Sequence, residues 1–175
     1  MAKGNKRYDS KRRLLKKGEY EKADGHYLYR WTDGKGKRHS VTAPTLEELR
    51  RKEEQIQVNK HDGIRAEAGN VTINDIYKLW CNMKRGLKDN TFQNYKYMYD
   101  MYAAPDLGQM KIQTLKKSDI KSFYNRLVDE RCLKISTVDN IHTVLHQVVQ
   151  VAVEDGYIRN NIADNVLKEL DLLRN

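Results

Sequence analysis

Asp24-Gly25-His26-Tyr27-Leu28-Tyr29-Arg30-Trp31 is the stretch that decides the fold. Large rings return at every second position from Tyr27 to Trp31, the period of a strand with two unlike faces. Asp-Gly in front of such a run signals a two-residue hairpin turn. A first strand is expected over 18–23 and a second over 26–32. That turn would set Ala23 opposite His26, Glu21 opposite Leu28 and Glu19 opposite Arg30. Tyr27, Tyr29 and Trp31 then face a core, while His26, Leu28 and Arg30, with Glu19 beside Arg30, face outward.

Downstream, Asp33-Gly34-Lys35-Gly36 reads as a second turn and 38–43 as a third strand. Placing Val41 toward the core puts Arg38, Ser40 and Thr42 on the open face. This requires an odd loop or a bulge, and the sequence does not fix the register. Thr45-Leu46-Glu47-Glu48 has the form of a capping box with Thr45 as N-cap. It opens a helix to about His61, closed by Gly63. Leu46, Leu49, Ile56 and the stem of Lys52 or Glu53 give that helix a thin apolar stripe, matched to one small sheet face.

Upstream, residues 1–13 are polar and are expected to lack order when free. The formal net charge of +9 is concentrated here: residues 1–64 hold 17 Lys and Arg against 10 Asp and Glu, a net of +7. Such a balance favours phosphate backbones. A membrane is not the expected partner, because 3–17 has only Tyr8, Leu14 and Leu15 as large apolar groups. No run approaches the roughly 18 apolar residues of a spanning helix. The start of the chain lacks the apolar region of a signal peptide, and a cytoplasmic location is expected. Cys81 and Cys132, far apart, read as buried reduced thiols.

After a polar stretch, 65–70, helical periodicity takes over. Thr72 caps a helix with Ile73, Ile76, Tyr77, Trp80 and Met83 on one face. Phe92, Tyr95, Tyr99 and Tyr102 mark a second helix, and Ile120, Phe123, Tyr124, Leu127 and Val128 a third. Val138, Ile141, Leu145, Val148, Val149 and Ala152 mark a long fourth, capped by Ser136, and a short one is expected over 166–173. The fold class is therefore α+β in 1–64, a three-stranded antiparallel sheet plus one helix. A linker at 65–70 leads into an all-α domain of four to five helices in 71–175.

Little here speaks for catalysis. His142 and His146 stand four apart, but without the glutamate of the zinc-protease motif or a third ligand. They are expected to face solvent or DNA, and no metal or cofactor is expected. No phosphate-binding glycine loop or nucleophile motif is present, and most tyrosines fall on apolar helix faces. What remains is a basic arm, a sheet face with hydrogen-bonding side chains, and polar helix starts. A sheet can enter the major groove and read bases. The candidate DNA contacts are Lys16, Lys17, Lys22, His26, Leu28, Arg30, Arg38, Ser40 and Thr42 in the first module. In the second they are Lys88, Thr91 and Asn94, and Lys134, Ser136, Thr137 and Asn140. For Ser136 and Thr72, plain N-capping is an equal reading.

Several of these stretches resemble the arm-binding domain of tyrosine-recombinase integrases of conjugative transposons. They are Leu15-Lys16-Lys17-Gly18-Glu19, the segment Asp24 to Trp31, Arg38-His39-Ser40-Val41, and Thr45 to Arg50. Thr91 with Tyr95, Leu107-Gly108, Ser118-Asp119-Ile120, Ser136-Thr137-Val138 and the run from Ala152 to Asn161 resemble the core-binding, SAM-like domain of phage-type integrases. Asn161-Ile162-Ala163 departs from that family's usual Asn-Pro-Ala. The resemblance implies a sheet laid in the major groove of arm sites, with contacts falling on Ala23, His26, Arg30 and Thr42 and Lys22 nearby. Ala23 has no side-chain donor to offer. It also implies double-stranded DNA of arm and core type as partner, with other integrase protomers and an excision factor. The family's catalytic domain carries a His-x-x-Arg motif, and this sequence has none. The chain is thus expected to be the non-catalytic DNA-binding part of an integrase. Rival readings are a freestanding regulator competing for arm sites and a helical protein-interaction adaptor.

Overall fold

Three hairpin loops of one geometry shape the first third of the molecule. A computed structural model of the chain describes residues 7–84 and 88–168. The chain divides into two compact units between Ala66 and Glu67.

In the first unit, β1 (Arg7–Tyr8) pairs with β2 (Leu14–Leu15), and β3 (Glu19–Glu21), β4 (Tyr27–Thr32) and β5 (Arg38–Ala43) form an antiparallel sheet in that order. Each of the three hairpin connections closes in the same way. The first residue of a five-residue segment donates its N–H to the carbonyl of the fifth, and the fourth donates back to the first. Asp9 to Arg13, Lys22 to His26 and Asp33 to Lys37 all do so. The fourth residue is left-handed in each, at φ 61° for Arg12, 79° for Gly25 and 80° for Gly36. This is the three-residue loop with a bulge, which follows the two-residue loop in frequency.

That loop corrects the first hairpin. Glu19 pairs with Tyr29, Tyr20 with Leu28 and Glu21 with Tyr27. The expected register is off by one residue, and such a slip turns every side chain of the strand to the other face. Glu19 is fully buried beneath the sheet, and Tyr20 takes the outward position. The strand is also shorter than 18–23. The second hairpin has the odd loop that Val41 required, with Tyr29 opposite Val41, Arg30 opposite Ser40 and Leu28 opposite Thr42. Residues 7–13, expected without order, form the β1–β2 hairpin. Asp9 holds its turn by accepting from the Lys11 and Arg13 amides and from Arg13 Nε.

Helix α1 (Leu46–His61) covers one sheet face. Thr45 Oγ1 accepts from the Glu48 amide, while the Glu48 carboxylate pairs with Lys52. Tyr27, Tyr29, Ala43, Leu46 and Leu49 make the core, flanked by Leu15, Trp31, Val41 and Ile56. The stretch expected as a linker contains a 3-10 turn, Ala66–Asn70, with Ala68 buried.

In the second unit, Thr72 and Asp75 exchange capping hydrogen bonds at the start of α2 (Ile73–Met83). Helix α3 (Asp89–Met98) runs through a π-helical turn, Tyr99–Ala103, into α4 (Ala104–Leu107). Helices α5 (Lys117–Asp129) and α6 (Ile135–Glu154) complete it. Trp80, Tyr99, Phe123, Tyr124, Leu127 and Ile141 are among its largest buried side chains, with the Tyr77 and Tyr99 rings stacked at 3.6 Å. Three expectations change. Lys134, not Ser136, is the N-cap of α6, so Ser136 lies in the first turn. Met83 is exposed, because it ends α2 past the core stripe. Cys132 is exposed in a left-handed turn and Cys81 half-buried. Most of the short helix expected over 166–173 lies outside the described residues, although Val166 is buried.

Candidate nucleic-acid interface

Within the first unit, the sheet face turned away from α1 has no helix over it among the described residues. By alternation from the pairing above, it carries Tyr20, Leu28, Arg30, Thr32, Arg38, Ser40 and Thr42. Arg30, Thr32, Arg38, Ser40 and Thr42 are exposed and Leu28 is half-buried. A cleft of about 470 Å³ opens there, lined by Tyr20, Arg30, Trp31, Thr32, Arg38, His39 and Ser40. Trp31 and His39 belong to the other face. Their rings stack at 5.4 Å, and His39 Nε2 meets Asp33 Oδ2 at 2.7 Å. That contact holds the Asp33 carboxyl below the usual range.

Lys22 and His26 flank the loop between β3 and β4. Lys22 Nζ lies 3.0 Å from Asp24 Oδ2, and the His26 amide donates to Asp24 Oδ1. The ammonium and that N–H pull the Asp24 carboxyl down to about 2. Ala23, implied as a sheet contact, is an exposed loop residue instead. Lys16 and Lys17 are exposed between β2 and β3.

Tyr20 on this face, and Arg7 against its ring, were not foreseen. The Arg7 and Arg30 guanidiniums both lie over the Tyr20 ring, at 4.7 and 5.5 Å from its centroid. Arg7 is held further by donating to the Lys16 carbonyl at 3.1 Å. The one-residue slip hid Tyr20. The sequence cue was Gly25, which fits a left-handed fourth position as well as a two-residue turn.

In the second unit, Lys88 is the N-cap of α3, and Thr91 and Asn94 follow at three-residue steps along one side. Lys134, Ser136, Thr137 and Asn140 occupy the first turns of α6. Lys88, Asn94, Lys134, Ser136 and Asn140 are exposed, and Thr91 and Thr137 half-buried. His142 and His146, expected to face solvent or DNA, are taken up within the unit. His142 Nδ1 lies 3.0 Å from the Tyr124 hydroxyl, and His146 Nε2 2.8 Å from Asp164 Oδ1. Asn161, nearly buried, donates to the His146 carbonyl and to Gln150 Oε1. Among the described residues, no helix is long and apolar enough to cross a membrane.

The chemistry of the first unit is that of a polar, cation-rich surface with one apolar member, Leu28. Arginine forks suit guanine edges, hydroxyls suit either base or phosphate, and an aliphatic group suits a thymine methyl. Residues 3–60 match the family of the DNA binding domain of Tn916 integrase, and residues 72–128 the N-terminal SAM-like domain of phage integrases. The chain is 30% identical over 176 residues to the transposase of transposon Tn1545 from Streptococcus pneumoniae, and 29% to that of Tn916 from Enterococcus faecalis. Each alignment takes in 93% of this chain but 43% of the relative, so the chain spans less than half of their length. Among solved structures, the Tn1549 transposon integrase in complex with transposon right end DNA aligns at 25% identity and a TM-score of 0.51. It covers 57% of this chain and 31% of that one.

Proposed function

We propose that this chain, a Tn916-integrase DNA-binding domain followed by a phage-integrase SAM-like domain, grips duplex DNA at two places for a site-specific recombinase of a mobile element. The observation that carries this is the uncovered sheet face. A three-stranded sheet buries one side against α1 and presents Arg30, Arg38, Ser40 and Thr42 on the other. A flat ribbon of this kind fits the major groove, where such side chains reach base edges. Lys16, Lys17 and Lys22 at its margins supply the phosphate contacts that set position without reading sequence.

The SAM-like unit takes a second duplex segment through the starts of α3 and α6. Its net charge is small, so it contributes less of the salt-dependent affinity than the first unit. Arm-type DNA goes to the first unit and core-type DNA to the second. The solved Tn1549 relative, residues 82–397 in complex with transposon right end DNA, supports duplex binding, while the division between the two units rests on the charge and the sheet face of the first.

The test is footprinting of the full chain on the two ends of the element flanking its gene. Protection at separated sites is expected. Arg30→Ala with Arg38→Ala should erase the sites held by the first unit and leave the others. Uniform, unlocalised protection would overturn the reading.

A further inference from the structure

We infer that Tyr20 is a positioning residue that seats the Arg30 guanidinium so that it reads one guanine in the major groove. The inference rests on the DNA reading above and assigns its specificity to one pair of side chains. Tyr20 stands opposite Leu28 in the sheet, and Arg30 is its diagonal neighbour on the same face. Diagonal neighbours on one face lie within reach of aromatic and long side chains. The guanidinium carbon of Arg30 lies 5.5 Å from the ring centroid.

The manner of holding matters. Glu19, the acid that a two-residue turn would have placed beside Arg30, is buried on the opposite face and bonded to Arg50. Among the described residues no carboxylate pairs with Arg30. An arginine held by a carboxylate must surrender its N–H donors to it. An arginine resting on a ring uses its flat face and keeps its in-plane N–H groups free. Those groups match guanine O6 and N7 as a bidentate pair. Seating the long side chain in advance also lowers the rotamer entropy lost on binding.

Arg7 completes the arrangement. Its guanidinium lies 4.7 Å from the same centroid, and its Nη2 donates to the Lys16 carbonyl. Two cations on one ring repel each other, and the electronegative edge of a guanine relieves that repulsion. The N-terminal hairpin thereby reaches the ring on which Arg30 rests.

The experiment is selection of duplexes from a random library by the full chain, for wild type, Tyr20→Phe, Tyr20→Ala and Arg30→Ala. Tyr20 is 40% exposed on a face without a core, so the variants should keep the wild-type melting curve. Wild type should select a motif with a guanine at one position, and Arg30→Ala should lose preference there. Tyr20→Ala should lose preference at that same position, and bind the wild-type motif about tenfold more weakly. Its affinity for unselected duplex should stay near that of wild type. Tyr20→Phe should keep the motif, since the ring and not the hydroxyl does the seating. Retention of the guanine by Tyr20→Ala, or equal weakening on all sequences, would overturn the inference alone. A wild type that selects no motif would overturn the DNA reading with it.

Discussion

Glu19 Oε1 lies 3.0 Å from Arg50 Nε, and this pair joins the first strand of the sheet to α1. Glu19 is fully buried, and its other oxygen accepts from the Lys16 amide. Burial alone would raise its pKa, but the Arg50 guanidinium and the Lys16 N–H outweigh that and hold it below the usual carboxylate range. Removing Arg50 strands a charge in the core. Arg50 is itself 36% exposed, so Arg50→Ala should cost about 2 kcal/mol, less than the loss from a fully buried pair. Urea denaturation measures it. Because the folded pKa is depressed, the contribution is present above the unfolded value and fades as pH falls through the folded one. The gap between wild type and Glu19→Gln should therefore close in acid.

Glu53 behaves in the opposite sense. Burial and the nearby Glu19 push its carboxyl above the usual carboxylate range, and Oε2 has no hydrogen-bond partner among the described residues. A raised folded pKa favours folding in acid and loses that advantage as pH rises through it. Glu53→Gln should raise stability at pH 7 by roughly 1 kcal/mol, the low end for relieving an unsatisfied buried group. Once the pH is well under the range in which an unfolded glutamate ionises, the two proteins should melt alike. A lower melting temperature for the variant at pH 7 would contradict this.

Arg12 occupies the left-handed position that glycine holds in the other two loops, with φ at 61°. A residue with a Cβ is strained there by about 1–2 kcal/mol. Arg12→Gly should recover part of this, tempered by the freer unfolded chain. Calorimetry should show a higher melting temperature.

Lysines and arginine should separate in binding isotherms. Lys16→Ala or Lys17→Ala should weaken all duplexes alike and flatten the salt slope by about one unit. Arg30→Ala should cost about 1–3 kcal/mol on the preferred duplex only. Equal effects from both classes would remove the distinction between position and readout.

This chain should form no covalent adduct with a nicked duplex substrate. Cleavage by a tyrosine nucleophile requires cationic groups around the scissile phosphate. The sequence has no His-x-x-Arg, and Tyr27, Tyr29, Tyr77, Tyr99 and Tyr124 are buried. A denaturing gel reads the outcome, and an adduct would name its own nucleophile by mapping.

The sequence was most legible where one periodicity spoke alone. Tyr27, Tyr29 and Trp31 place β4 and its core face. Thr45 marks the start of α1 through an ordinary cap, and Arg30, Ser40 and Thr42 share the face that alternation assigned to them. It failed where loop geometry decides. Asp24-Gly25 suits a two-residue turn, and the extra loop residue inverted β3, hiding Tyr20 and misplacing Glu19. The β1–β2 hairpin escaped because its left-handed residue is Arg12, which carries none of glycine's signal. Ser136 resembled a cap by type, yet α6 begins two residues earlier at an extended Lys134. No pattern in the sequence brings Arg7 to Tyr20, since that contact depends on both hairpins at once.

Among the described residues, strand β5 is bonded on one side only. By antiparallel alternation from the Asp33–Lys37 closure, the amides of Arg38, Ser40 and Thr42 point away from β4. Lys52 Nζ covers the Thr42 carbonyl at 3.0 Å, and the Arg38 side chain stands exposed at the far end. An unpaired strand edge templates pairing with another copy, and flanking cations keep copies apart. Salt strong enough to screen Arg38 and Lys52 lifts that protection. Concentrated samples should therefore lose solubility first under the high ionic strength that also strips them from DNA, and keep best with duplex bound.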